Sequence, residues 1–197
     1  LLMPEAPKPP HQSDHSPMAD ILRRAEVRAL FVACFFMSAA HGALYVFYSL
    51  FLVGNGYSTA AVGWLWTLGV LAEIGVFIAM PHLLRLFTIR SMLLFSFACA
   101  VARFLIIGWF VESAPLLVLA QLLHGATFGA YHAAAVAAVG HWFGTRHQSR
   151  GQAIYGSVSF GAGGMTGGLV SGLTWDWVGP AATYSISSLF ALIGLAV

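Results

Sequence analysis

Charge is scarce in this chain: Asp, Glu, Lys and Arg together make up 8% of its 197 residues. A soluble domain carries about 25%, so this chain cannot cover itself with water-facing groups, and a soluble multi-domain protein is excluded. Cysteine is nearly absent. The two present, Cys34 and Cys99, fall inside apolar runs and indicate no disulfide framework. Within the apolar runs neither HxxxH nor HExxH occurs, and the nearest histidines within one run, His124 and His132, are eight apart. No metal and no cofactor is therefore expected. The net charge of +2 is small and follows from the placement of loop arginines, so nucleic acid is not implied.

Hydrophobic residues, by contrast, make up 59%. Six stretches approach the roughly 20 apolar residues that cross a bilayer: about 27–53, 59–80, 91–111, 115–139, 151–173 and 179–197. Lipid leaves only helices or closed barrels, and these runs lack the alternation of barrel strands. An all-α membrane protein of six transmembrane helices is the expectation. Lys8, Arg23 and Arg24 precede the first run and Arg28 stands at its start, Arg85 and Arg90 lie in "PHLLRLFTIR", and Arg146 and Arg150 lie in "HWFGTRHQSR". The alternate loops "GNGYS", "VESA" and "WDWVG" hold no Lys or Arg. The basic side is cytoplasmic by the positive-inside rule.

Residues 1–26 read as a cytoplasmic linker, proline-rich at "PKPP". The chain opens on Leu and stops at Val197 within an apolar run, which reads as a piece of a longer protein. "HGALY" (41–45) and "HGATF" (124–128) echo one another three runs apart. Three is odd, so the copies run in opposite directions, as in the inverted repeats of some transporters.

Glu73 is the one acidic residue inside a run, in "GVLAEIGVFIAM". An acidic residue near a helix centre costs about 2.5–3.5 kcal/mol to insert, and intramembrane acids are functional by default. A carboxyl group that gains and loses a proton there suits proton coupling; a structural hydrogen bond or ion pair is the alternative. Arg103, near mid-membrane, is a candidate charge partner, for Glu73 or for an anionic substrate, or else holds helix carbonyls. Ser38, His41, Tyr45 and Tyr48 form one stripe, and Gln121, His124, Phe128 and His132 another, both suiting a part-wet, part-apolar pathway. Gly164, Gly168 and Gly172 recur at four-residue spacing and suit close helix packing.

The stretches "HGALYVFYSLFL", "GWLWTLGVLAEIGVF", "QLLHGATFGAYHAA" and "RGQAIYGSVSFGAGG", with an arginine in the third run, resemble the C-terminal half of a major facilitator superfamily transporter. The likeness is to the phenylpropionate permease and nucleoside–proton symporter-like group. It implies a C-terminal bundle with a 3+3 inverted repeat, and a missing N-terminal six-helix half as partner. It implies that His41, Tyr45, Tyr48, Gln121, His124 and Phe128 face a substrate cavity, that Glu73 is the protonatable residue, and that the third and sixth helices are peripheral. The expected function is symport of a small aromatic carboxylic acid, such as 3-phenylpropionate, across the inner (plasma) membrane, with protons as the coupling ion. A nucleoside or sugar symporter, a membrane metalloenzyme and a non-transporting half-transporter are the alternatives.

Overall fold

The computed structural model describes residues 17–197, so residues 1–16 of the expected linker lie outside it. The rest of that linker is helical. Helix α1 (Met18–Arg23) carries Asp20 in its first turn and Arg23 in its last, matching the helix dipole, and it buries Ile21. Arg24 is extended, and α2 (Ala25–Ala40) begins immediately after it. His41, with ψ at −5°, separates α2 from α3 (Gly42–Gly54), so the first expected run is a helix broken at its middle.

Helix α4 (Thr59–Leu86) starts where the Ser58 side chain accepts from the Ala61 N–H at 3.2 Å, and α5 (Ile89–Trp109) where Thr88 accepts from Ser91 N–H at 3.1 Å. Both caps follow turns that the sequence marks with polar residues. Next come α6 (Ala114–His124), a π-helical segment (Gly125–Ala130), α7 (Tyr131–Gly156), a second π-helical segment (Ser157–Gly163) and α8 (Gly164–Val178). Gly179, at φ 84°, and Pro180 at the first helical position then open α9 (Pro180–Ala196).

From Ala114 to Val178 the helical run is 65 residues, about 98 Å if straight and some three times the bilayer core. It does not stay straight. At Gly144 the backbone takes φ 56° and ψ −175°, outside the helical region and open to glycine. Beyond it the chain doubles back: Gln152 donates to the Val136 carbonyl at 3.2 Å, His132 meets the Tyr155 hydroxyl at 2.9 Å, and Gly151 lies against Phe143 and Val139. The expected loop at 141–150 is thus a hairpin turning on one residue. Four helical runs are long and apolar enough to cross a membrane, this folded one among them, and α9, at 17 residues, is somewhat short of the usual length.

Packing follows the expected repeat. The second segment (α4) packs on the fourth (α6 and its π segment), and the fifth (second π segment and α8) packs on the first (α2 and α3). Exchanging the first three segments for the last three turns one pairing into the other. The first-with-sixth pairing (α2 and α9) likewise becomes fourth-with-third, and the third-with-sixth pairing (α5 and α9) maps onto itself. The exchange is incomplete, because α8 also lies on α9 without an equal pairing of α4 and α5. Trp64, Ile78, Leu173 and Trp177 stand outward and exposed, an apolar surface suited to lipid.

The glycine pattern resolves differently from its four-residue reading. A Cβ on Gly167 would collide with the Ala39 backbone, one on Gly42 with the Gly167 backbone, and one on Gly163 with the Phe35 carbonyl. Gly164 and Gly172 have open space, and Gly168 touches only Val46 at 4.0 Å. The tight face is therefore Gly163, Gly167 and Ser171, one position away from the stripe expected.

Candidate functional site

The two His-Gly-Ala copies meet in space. His41 occupies the break in the first segment, and His124 ends α6 where the π segment begins; their ring centroids are 6.3 Å apart. The His41 Nδ1–H donates to the Met37 carbonyl at 2.8 Å, so in the neutral ring Nε2 keeps its lone pair, and it has no partner. Phe104 stands edge-on to the same ring at 5.1 Å, and Tyr45 stacks on it at 5.9 Å.

A cavity of about 160 Å³ opens beside this break. Its wall combines His41, Gly42 and Tyr45 from the first segment, Thr127 and Phe128 from the first π segment, Phe160 from the second, and Gly164 and Gly168 from α8. Gly164 and Gly168, read from sequence as packing residues, thus line open space. Tyr45 is 54% exposed and forms the rim, stacked on Trp66 at 6.4 Å. Most polar wall groups are already bonded: Ser38 to Ser159 at 2.8 Å, and Tyr131 to the Cys34 carbonyl at 3.4 Å.

Glu73 projects from α4 toward the fourth segment, where a Cβ on Gly129 would stand 3.4 Å from its Cγ. Its Oε2 is 3.7 Å from His124 Nε2, close enough for an ion pair when the imidazole is protonated. His124 Nδ1 is buried without a partner, and its ring stacks on Phe128 at 5.5 Å. A carboxyl group, an imidazole and the cavity wall therefore stand in sequence, joined by one stack and one charge contact.

Arg103 does not join this pair. It is 0% exposed and donates through Nε to the Ala120 carbonyl at 2.8 Å, through Nη1 to Thr127 Oγ1 at 3.1 Å and through Nη2 to Gln121 Oε1 at 3.4 Å. Among the described residues no ion pair joins it to Glu73; of the alternatives weighed from sequence, the bonds to the neighbouring helix are the ones present. The reason is placement: α4 and α5 both pack on the fourth segment, which comes between the two charges.

Of the six residues expected to face the cavity, His41, Tyr45 and Phe128 form its wall. Tyr48 does not: it is buried edge-on to Trp66 at 5.3 Å. Gln121 is also sealed, beneath Arg103, and His124 stands behind Phe128. Thr127 and Phe160 were not singled out from sequence. Thr127 reaches the wall because a π turn carries more residues per turn than the 3.6 behind the predicted stripe. Among the described residues no three His, Cys, Asp or Glu side chains converge as a metal-ligand set.

The sequence model of the MFS_1 like family matches residues 3–186. The chain belongs to this family. Its all-helical, inverted-repeat fold agrees with that membership, which makes it a multi-pass membrane protein of a transporter family and not an enzyme. Over 169 residues it is 34% identical to the "Probable 3-phenylpropionic acid transporter" of Escherichia coli (strain K12), an overlap covering 84% of this MFS_1 like chain and 42% of that protein. The chain thus spans less than half the length of that relative. No solved structure matches it.

Proposed function

We propose that this chain forms one helical bundle of a proton-coupled secondary transporter of the inner membrane, carrying a small aromatic carboxylic acid such as 3-phenylpropionate. The observation that carries the reading is the Glu73–His124 contact of 3.7 Å, set directly behind the cavity wall of Phe128, His41 and Tyr45. An apolar cavity of about 150 Å³ accepts a single benzene ring, and this one is about 160 Å³ with the rings of Tyr45, Phe128, Tyr131 and Phe160 on its wall. A nucleoside or sugar would need several free donors and acceptors, whereas Ser38 and Tyr131 are occupied. The name of the E. coli relative points the same way.

In this reading Glu73 holds the transported proton, and His124, with its free Nδ1, hands it toward the cavity. Alternating access then rocks this bundle against a second one, and the basic loops and the N-terminal linker face the cytoplasm. The test is uptake of labelled 3-phenylpropionate by the full-length protein in proteoliposomes under an imposed proton gradient. Glu73→Gln removes accumulation above equilibrium, while uridine in excess does not compete. Undiminished proton-driven accumulation by Glu73→Gln would sink the coupling role, and competition by uridine would move the substrate class to nucleosides.

A further inference from the structure

Arg103 poses an unanswered question. Its guanidinium is fully enclosed, and each acceptor it reaches is neutral: a carbonyl, a hydroxyl and a side-chain amide oxygen. Among the described residues no carboxylate lies within 4.0 Å of it, the ion pairs there being Arg23–Asp20 and His124–Glu73. A buried charge without an opposite charge is costly to hold, since desolvation is offset only in part by neutral bonds. Because the group is enclosed within the bundle, a side chain from outside cannot reach it.

The cavity is close by. Arg103 Nη1 is 3.1 Å from Thr127 Oγ1, and Thr127 is a wall residue. The guanidinium carbon lies 5.7 Å from the Phe104 ring centroid, and Phe104 in turn stands against His41, a second wall residue. A single layer of side chains thus separates a permanent positive charge from the space where a ligand would sit. Apolar walls screen that charge poorly, so its field reaches into the cavity.

We infer that Arg103 sets the charge class of the ligand: it makes the cavity select a carboxylate over an uncharged molecule of the same shape, acting through the Thr127 and His41 layer without touching the ligand. The inference rests on the transport reading above and adds the residue that determines ionic specificity. An anion entering this space meets a guanidinium that no carboxylate among the described residues pairs within 4.0 Å. A cationic ligand of the same shape is repelled.

The experiment compares 3-phenylpropionate with 3-phenylpropan-1-ol, which keeps the ring and chain but not the charge. Binding to the full-length protein in nanodiscs is followed by tryptophan fluorescence, Trp66 being stacked on the rim residue Tyr45. At neutral pH the wild type prefers the acid by roughly 30-fold. Arg103→Gln brings the ratio near unity while alcohol binding persists, and Arg103→Lys keeps the preference. A merely structural role would weaken both compounds together. Equal binding of acid and alcohol by the wild type overturns the inference without any variant, so it stands testable even if Arg103→Gln does not fold. A preference that survives in a folded Arg103→Gln overturns it too. If the wild type binds neither compound, the aromatic-acid reading itself falls, and this inference with it.

Discussion

Alanine at Gly125 would put a methyl group 2.8 Å from the Ala72 carbonyl oxygen, 3.0 Å from the Ala72 carbonyl carbon and 3.1 Å from Val76 Cγ2. Comfortable carbon contacts lie at about 3.5–4.0 Å, so α4 and the first π segment must part by roughly 0.7 Å. Overpacking of this kind costs about 1–3 kcal/mol. Ala72 precedes Glu73 and Gly125 follows His124, so the same displacement stretches the 3.7 Å contact between those two side chains. The matched control is Gly75→Ala, on the same helix as Glu73 but with nothing within 4 Å. There the lost flexibility of glycine gives about 0.5–1 kcal/mol of added stability. In purified protein the two variants should shift the thermal midpoint in opposite directions, Gly125→Ala down by about 3–10 °C. Proton-driven uptake should fall in Gly125→Ala and hold in Gly75→Ala. A Gly125→Ala protein as stable and active as Gly75→Ala would refute the packing argument.

Ser159 bridges the first and fifth segments by bonding Ser38 Oγ at 2.8 Å and the Cys34 carbonyl at 3.1 Å, so Ser159→Ala should lower stability by about 1–3 kcal/mol, read by thermal unfolding. Tyr57 ties the loop between α3 and α4 to the one after α5 through the Val111 carbonyl at 2.9 Å; Tyr57→Phe should lose about 1 kcal/mol on the same assay and leave ligand binding intact. Both native cysteines are buried, so a membrane-impermeant maleimide should leave the wild type unlabelled. On that background Arg146→Cys should react only from the cytoplasmic side and Glu112→Cys only from outside. Labelling of both from one side would overturn the orientation.

The helices were legible because lipid offers the backbone no other way to satisfy its hydrogen bonds, so hydropathy alone outlines them. The inverted repeat was legible in three letters, His-Gly-Ala, and the structure explains their recurrence: both copies sit where a helix departs from α geometry. What hydropathy lacks is azimuth. The sequence offers Arg103 as a candidate partner for Glu73, but His124 faces one and Thr127 and Gln121 face the other across the fourth segment. The glycine stripe and the unforeseen Thr127 share a related cause. A fixed 100° per residue holds in an α-helix and slips through Gly125–Ala130 and Ser157–Gly163. That slip admits Thr127 to the wall and turns Gly164 and Gly168 toward the cavity, with Gly163 and Gly167 left to pack. The start of the first helix was missed because Arg24, between two helices, reads as linker composition.

The hairpin at Gly144 has a mechanical side. Its two π segments end and begin at Ala130 and Ser157, each about 20 Å from the turn at 1.5 Å per residue. The tines between are clamped by the Gln152–Val136 and His132–Tyr155 bonds. It is a tuning fork with one soft spot on each arm, and both soft spots border the same cavity. A π bulge that relaxes to α geometry rotates everything beyond it by about one residue, or 100°. Such a slip exchanges one wall side chain for its neighbour while the membrane-crossing helices stay wound.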